Sequence, residues 1–124
     1  MFCKTCTMFL ELSHTKLDIF RISKILVLLC YKETKSLPGE KKFVLTQQIR
    51  RAALSVHLNI AEGSSRKSAL EKRRFFEIAW GSVIEIDTAF DIAVELGYIP
   101  KETIEHLGNN LLRCFQMLSK MIEP

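Results

Sequence analysis

Apolar residues recur at three- and four-residue spacing along most of this chain, and short polar or Gly/Pro-containing breaks separate the runs. Ile19, Ile22, Leu26 and Leu29 fall on one face of a helix predicted from about Thr15 to Lys35. The middle of that helix, ILVLLCY from Ile25 to Tyr31, is apolar all round. A helix on the outside of a monomeric bundle keeps a polar face, so this one is expected to bury a second face against something else. Ser36-Leu37-Pro38-Gly39 is a break, because proline disfavours helix in the residue before it and glycine permits the turn. A second helix follows from about Glu40 to Glu62. Leu45, Ile49, Ala52, Val56 and Ile60 form one stripe on it, and Leu54 and Leu58 form another on a different side. Gly63-Ser64-Ser65 reads as a C-terminal cap and turn.

The third helix is predicted from about Ser68 to Leu96. Ser68 with Glu71 makes a capping box, and Phe76, Ala79, Val83, Ile86, Phe90 and Ala93 give a near-heptad seam. Gly97-Tyr98-Ile99-Pro100 ends it. The fourth, from about Lys101 to Ile122, repeats Ile104, Leu107, Leu111, Cys114, Leu118 and Met121 at the same spacing. Four amphipathic helices with short connections predict an all-α, antiparallel up-down four-helix bundle. Residues 1–13 fit no periodic pattern and read as a poorly ordered leader, with residues 14–124 as the bundle domain.

Composition adds little to that picture and removes some alternatives. A chain of 124 residues is one domain with room for a single core. The apolar run at Ile25–Tyr31 is far too short to cross a bilayer. The start, Met1-Phe2-Cys3-Lys4-Thr5-Cys6, lacks a basic segment followed by an apolar one, so it is not a signal peptide, and a cytoplasmic protein is expected.

Charge changes the picture more. Between Lys41 and Arg74 nine basic residues face only Glu62 and Glu71, a net of +7. Between Phe75 and Asn110 Lys101 alone opposes seven acidic residues, a net of −6. The basic end is expected around the junction of the second and third helices, where it would attract phosphate backbones. Arg50, Arg51, Arg66, Lys67, Arg73 and Arg74 are the candidate nucleic-acid-binding residues, since arginine pairs well with phosphate. They can form two patches rather than one, because Arg50 and Arg51 lie about four turns from the hairpin. The competing reading is a basic surface that meets the acidic surface of another subunit. Phe43, Phe75 and Phe76 lie near these cations, but their spacing assigns them to the core.

Candidate chemistry is sparse, and no catalytic residue, cofactor or metal is expected. Cys3-x-x-Cys6 is half a zinc site, but structural zinc needs four ligands, and Cys30 and Cys114 lie in apolar stripes. A di-iron centre needs a Glu-x-x-His pair on each of two helices, and only one occurs, Glu11 with His14: Glu105 and His106 are adjacent, and His57 has no glutamate three residues before it. His57 is expected at the surface or at a subunit contact. A helix-turn-helix over Ala53–Phe76 is disfavoured because its second helix runs on far beyond a recognition helix. Asn59 is expected to bond to a neighbouring helix or to the turn, and Gly81 to mark the close approach of another helix. Asn59, Glu62, Gly63 and Gly81 are thus structural candidates.

Leu45–Gly63, LTQQIRRAALSVHLNIAEG, resembles the signature of the four-helix bundle proteins encoded by intervening sequences of 23S rRNA genes, the S23 ribosomal protein family. Ser68–Ala79, Gly81–Ile86 and Leu96-Gly97-Tyr98 extend the resemblance to nearly the whole chain from His14. Many relatives carry a proline where this chain has Val56-His57-Leu58-Asn59, so a kink there is not expected. The family is similar in fold to the accessory variability proteins of diversity-generating retroelements, which are basic homopentamers that bind nucleic acid. The resemblance therefore implies a homopentamer and RNA or DNA as partner, with no membrane and no small-molecule substrate. It implies no place in the ribosome and no active site. A protein-interaction scaffold with no nucleic-acid role is the alternative.

Overall fold

The stripe Ile19, Ile22, Leu26 and Cys30 turns the first helix, α1 (Asp18–Thr34), onto the core, and all four residues are buried. The computed structural model describes residues 9–10, 17–37 and 39–123. Within them α1 is followed by α2 (Glu40–Ser65), α3 (Ala69–Glu95), a single 3₁₀ turn (Lys101–Ile104) and α4 (Glu105–Met121), with no strand. The expected leader, with Cys3 and Cys6, lies outside the described residues except for Phe9 and Leu10. No helix among the described residues is long and apolar enough to cross a membrane.

Side-chain contacts between helices fix the topology. Ser23 meets His57 and Thr34 meets Arg50, so α1 and α2 run antiparallel. Gln48 meets Glu85 and Ser55 meets Ser82, which sets α3 antiparallel to α2. Trp80 donates to Ser119 Oγ at 3.0 Å, and Asn110 donates to the Ile22 carbonyl at 3.3 Å, joining α4 to α3 and α1. The whole third-helix seam from Phe76 to Ala93 is buried, as are Leu107, Leu111, Cys114 and Leu118 of α4. Each buried Leu or Ile in this core contributes roughly 1.5–3 kcal/mol relative to exposure.

The ends of the helices follow their local chemistry, with one correction. Ser68 Oγ accepts from the Glu71 amide at 3.1 Å and starts α3. Its end is a Schellman turn: Tyr98 N–H reaches the Ala93 carbonyl, Gly97 N–H reaches that of Val94, and Gly97 takes φ 76°. Gly63 was expected to cap α2, but α2 continues through Gly63-Ser64-Ser65 and ends only before Arg66. Gly63 has no positive φ. Its role is steric instead: a Cβ there would lie 2.7 Å from Phe76 Cε1 and 3.0 Å from Phe75 Cβ. The missing side chain lets α2 and α3 close on each other just before the turn.

The apolar residues outside the main stripes remain on the surface. Ile25 and Leu28 of α1, Leu54 and Leu58 of α2, and Ile78, Ile84 and Ile92 of α3 are exposed. The second face of α1 and the second stripe of α2 thus have no cover among the described residues.

Candidate nucleic-acid interface

The length of α2 divides the six candidate basic residues between two ends of the bundle. Arg51 lies fourteen residues before Ser65, roughly 21 Å along the axis at 1.5 Å per residue. A single basic end at the α2–α3 junction, as the charge distribution suggested, is therefore only half of the arrangement. The other half sits beside the acidic end of α3, where Gln48 contacts Glu85 and Lys42 lies over the Tyr98 ring at 4.8 Å.

At the hairpin, the short turn between α2 and α3 brings Arg66, Lys67, Lys72, Arg73 and Arg74 within nine residues of sequence, with Glu71 the one carboxylate in that span. Arg66 pairs with Glu62 at 2.9 Å and covers the Phe75 ring at 4.9 Å. Arg73 pairs with Glu77 at 3.0 Å. Both are exposed pairs within one helix face, of the kind worth no more than about 1 kcal/mol, so a stronger anion can compete for them. Lys72 turns back to the Ser64 carbonyl at 3.5 Å. Lys67 and Arg74 are exposed, with no hydrogen bond or ion pair among the described residues.

Arg50 is built differently. Its Nε donates to Thr34 Oγ1 at 2.9 Å, one Nη donates to the Tyr31 carbonyl at 3.3 Å, and its guanidinium lies 4.6 Å from the Tyr31 ring centre. Thr34 passes its own proton to the Cys30 carbonyl at 2.7 Å. Arg50 thus satisfies the end of α1, where carbonyls lack partners in their own helix. Neighbouring Arg51 is exposed and unpaired among the described residues. Phe43 corrects its core assignment, being 57% exposed near the start of α2, whereas Phe76 is buried and Phe75 half-buried.

The structural candidates divide as well. Asn59 Nδ2 donates to the Ser55 carbonyl at 2.8 Å and to Ser55 Oγ at 3.1 Å, so it bonds within α2 rather than to a neighbour. It reaches α3 only through Ser55, whose Oγ accepts from Ser82 at 2.9 Å. Glu62 holds Arg66. Gly81 is exposed, and a Cβ there would meet nothing within 4 Å, so no helix of this chain approaches it. His57 is half-buried and packs against α1. Its ring centre lies 4.5 Å from that of Phe20, and its Nδ1 lies 2.7 Å from Ser23 Oγ. Ser23 spends its proton on the Phe20 carbonyl at 3.0 Å, and an Nδ1–H tautomer of His57 satisfies both groups. Sequence reasoning missed this interhelical pair, and a helical wheel that puts Ser23 on the buried face of α1 could have found it.

No group of three or more His, Cys, Asp or Glu among the described residues is placed to hold a metal. A hollow of about 340 Å³ between α3 and α4 is lined by apolar side chains and Asp87. A second, of about 300 Å³, gathers Asp87, Asp91, Glu95 and Glu105 with Lys101, which makes that end of the bundle acidic.

Cys30 and Cys114 are buried free thiols, each pushed up by burial from the ordinary 9.0 to about 12. Alkylation requires the thiolate. In a Cys3→Ser/Cys6→Ser background, the two remaining thiols are expected to resist iodoacetamide at pH 8 until the protein is unfolded, as read by mass spectrometry. The same shift destabilises the fold at high pH. Between about 9 and 12 the unfolded thiols ionise while the native ones stay protonated, so stability falls as pH rises, by at most about 1.4 kcal/mol per pH unit per thiol. Native-state labelling at the unfolded rate would contradict the burial.

The model of the 23S rRNA-intervening sequence protein family matches residues 15–120. Among solved structures, the chain is similar to a protein of unknown function from the S23 ribosomal protein family of Bacteroides thetaiotaomicron. The two share 23% identity over 86% of this chain and 99% of that one, with a TM-score of 0.78. No curated protein matches the chain.

Proposed function

From the premise that this chain belongs to the 23S rRNA-intervening sequence protein family, we propose that it is a nonenzymatic, self-associating four-helix bundle that binds RNA or DNA through its basic surface. The observation that carries this reading is the hairpin cluster. Lys67 and Arg74 present unneutralised charge at the same turn where Arg66 and Arg73 are held only by exposed carboxylates. Sequence-independent affinity for nucleic acid comes mainly from such contacts with the phosphate backbone.

Self-association is supported by the uncovered Ile25, Leu28, Leu54 and Leu58 on neighbouring helices α1 and α2. Leu28 is 63% exposed in the middle of its helix, and apolar surface of this kind marks an interface. The assembly proposed is the homopentamer implied by the family's resemblance to the retroelement accessory proteins. A stable monomer at micromolar concentration by light scattering would overturn it. These apolar faces also favour the second reading, a protein-interaction scaffold without nucleic acid.

Fluorescence anisotropy with a labelled RNA separates the two. The variant Arg66→Ala/Lys67→Ala/Arg73→Ala/Arg74→Ala is expected to lose at least about tenfold in affinity, similarly across sequences, while assembling normally. Unchanged affinity in an assembled variant would remove the hairpin from the binding surface. Failure of the wild type to bind would leave the scaffold reading.

A further inference from the structure

The second basic patch is more than a set of cations. Phe43, Gln47 and Arg51 follow one another at four-residue spacing along α2, with Thr46 and Arg50 beside them on the same side. Together with Tyr31 of α1 they line a surface hollow of about 490 Å³, within the size range of small-ligand sites. Three features of it point to a ligand.

First, Phe43 offers an aromatic face to solvent, 57% exposed among the described residues. Second, the two guanidinium groups retain their charge. Arg50 is fixed by a threonine hydroxyl and a backbone carbonyl, both neutral, and Arg51 has no partner among the described residues. The half-buried charge of Arg50 is screened less than charge in open water. Third, Thr46 Oγ1 has no hydrogen-bond partner among the described residues, an unusual condition for a shielded hydroxyl. Gln47 adds an exposed amide capable of donating and accepting.

An aromatic platform flanked by cations is how proteins hold single-stranded nucleic acid, since every base has a face to stack and every nucleotide a phosphate. We propose that this hollow takes one unpaired nucleotide of a single strand, with its base on Phe43 and its phosphate on Arg51 and Arg50. The inference rests on the nucleic-acid reading above and deepens it: the hairpin cluster supplies backbone affinity, and the Phe43 hollow makes the protein prefer single strands. A duplex cannot use the hollow, because its bases are already stacked on one another.

The test measures anisotropy of labelled oligo(U), oligo(dT) and an RNA duplex of the same length against wild type, Phe43→Leu, Phe43→Tyr and Arg51→Ala. Phe43→Leu and Arg51→Ala are expected to weaken binding of both single strands about tenfold, with duplex binding unchanged for Phe43→Leu and Phe43→Tyr close to wild type. Phe43 is exposed, so folding is not at risk, and circular dichroism checks it. Single-strand affinity that survives Phe43→Leu but falls in the hairpin quadruple variant would overturn the hollow and leave the hairpin reading intact. Wild type that binds none of the three probes overturns both.

Discussion

Gly63→Val is expected to destabilise the bundle by about 3 kcal/mol, the upper end of the range for overpacking a well-filled core. The first added atom alone would sit 2.7 Å from the buried Phe76 ring and 3.0 Å from Phe75 Cβ. The ring is 7% exposed and walled in by the α2–α3 seam, and a Cβ moves only with its backbone, so neither neighbour can yield cheaply. Valine's better helix propensity returns only a few tenths of a kcal/mol. Thermal unfolding should show a fall on the order of 10 °C. Gly81→Ala is the matched control: it adds a Cβ to open space within a helix, so it should stabilise by up to about 1 kcal/mol. Equal tolerance at the two glycines would contradict the packing described at Gly63.

Arg50→Ala is expected to cost roughly 1.5–3 kcal/mol, the range for hydrogen bonds that involve a charged group. The loss removes the donor to Thr34 Oγ1, which is 2% exposed and cannot turn to water, together with the donor to the Tyr31 carbonyl and the guanidinium over the Tyr31 ring. Arg50→Lys should recover little, because an ammonium cannot serve two acceptors in a fixed fork while lying flat on an aromatic face. Chemical denaturation of the two variants checks this. Wild-type stability in Arg50→Ala would mean that the end of α1 does not depend on this side chain.

The helix periodicity was legible because a 3.6-residue repeat reports which side is buried, and the seam from Phe76 to Ala93 faces the core throughout. Where the reading failed, the deciding partner lay elsewhere in the chain. Glycine before two serines looks like a cap, and only Phe76 across the hairpin shows that Gly63 serves a close approach instead. Arg50 looks like a free surface cation until Tyr31, nineteen residues earlier, is brought beneath it and gives it a structural role as well. The spacing of Phe43 assigns it to the core, yet it lies on the same side of α2 as Gln47 and Arg51, away from the Leu45–Ile49–Ala52 stripe. Asn59 was expected to bond to a neighbouring helix or to the turn, but a serine one turn earlier satisfies its amide first. The second apolar stripe at Leu54 and Leu58 was visible, and what covers it was not, because one chain does not contain its neighbours.

The central claim, a phosphate-binding basic surface, is tested most directly by the salt dependence of binding to a short oligo(U). If cations on the protein displace counterions from the strand, the logarithm of the binding constant falls linearly with the logarithm of salt concentration, with a slope of roughly −0.7 per phosphate neutralised. The result expected is such a line for the wild type, and a shallower one, by about 1.4 units, for Lys67→Ala/Arg74→Ala. An affinity indifferent to salt, or a slope that the two substitutions leave unchanged, would contradict it.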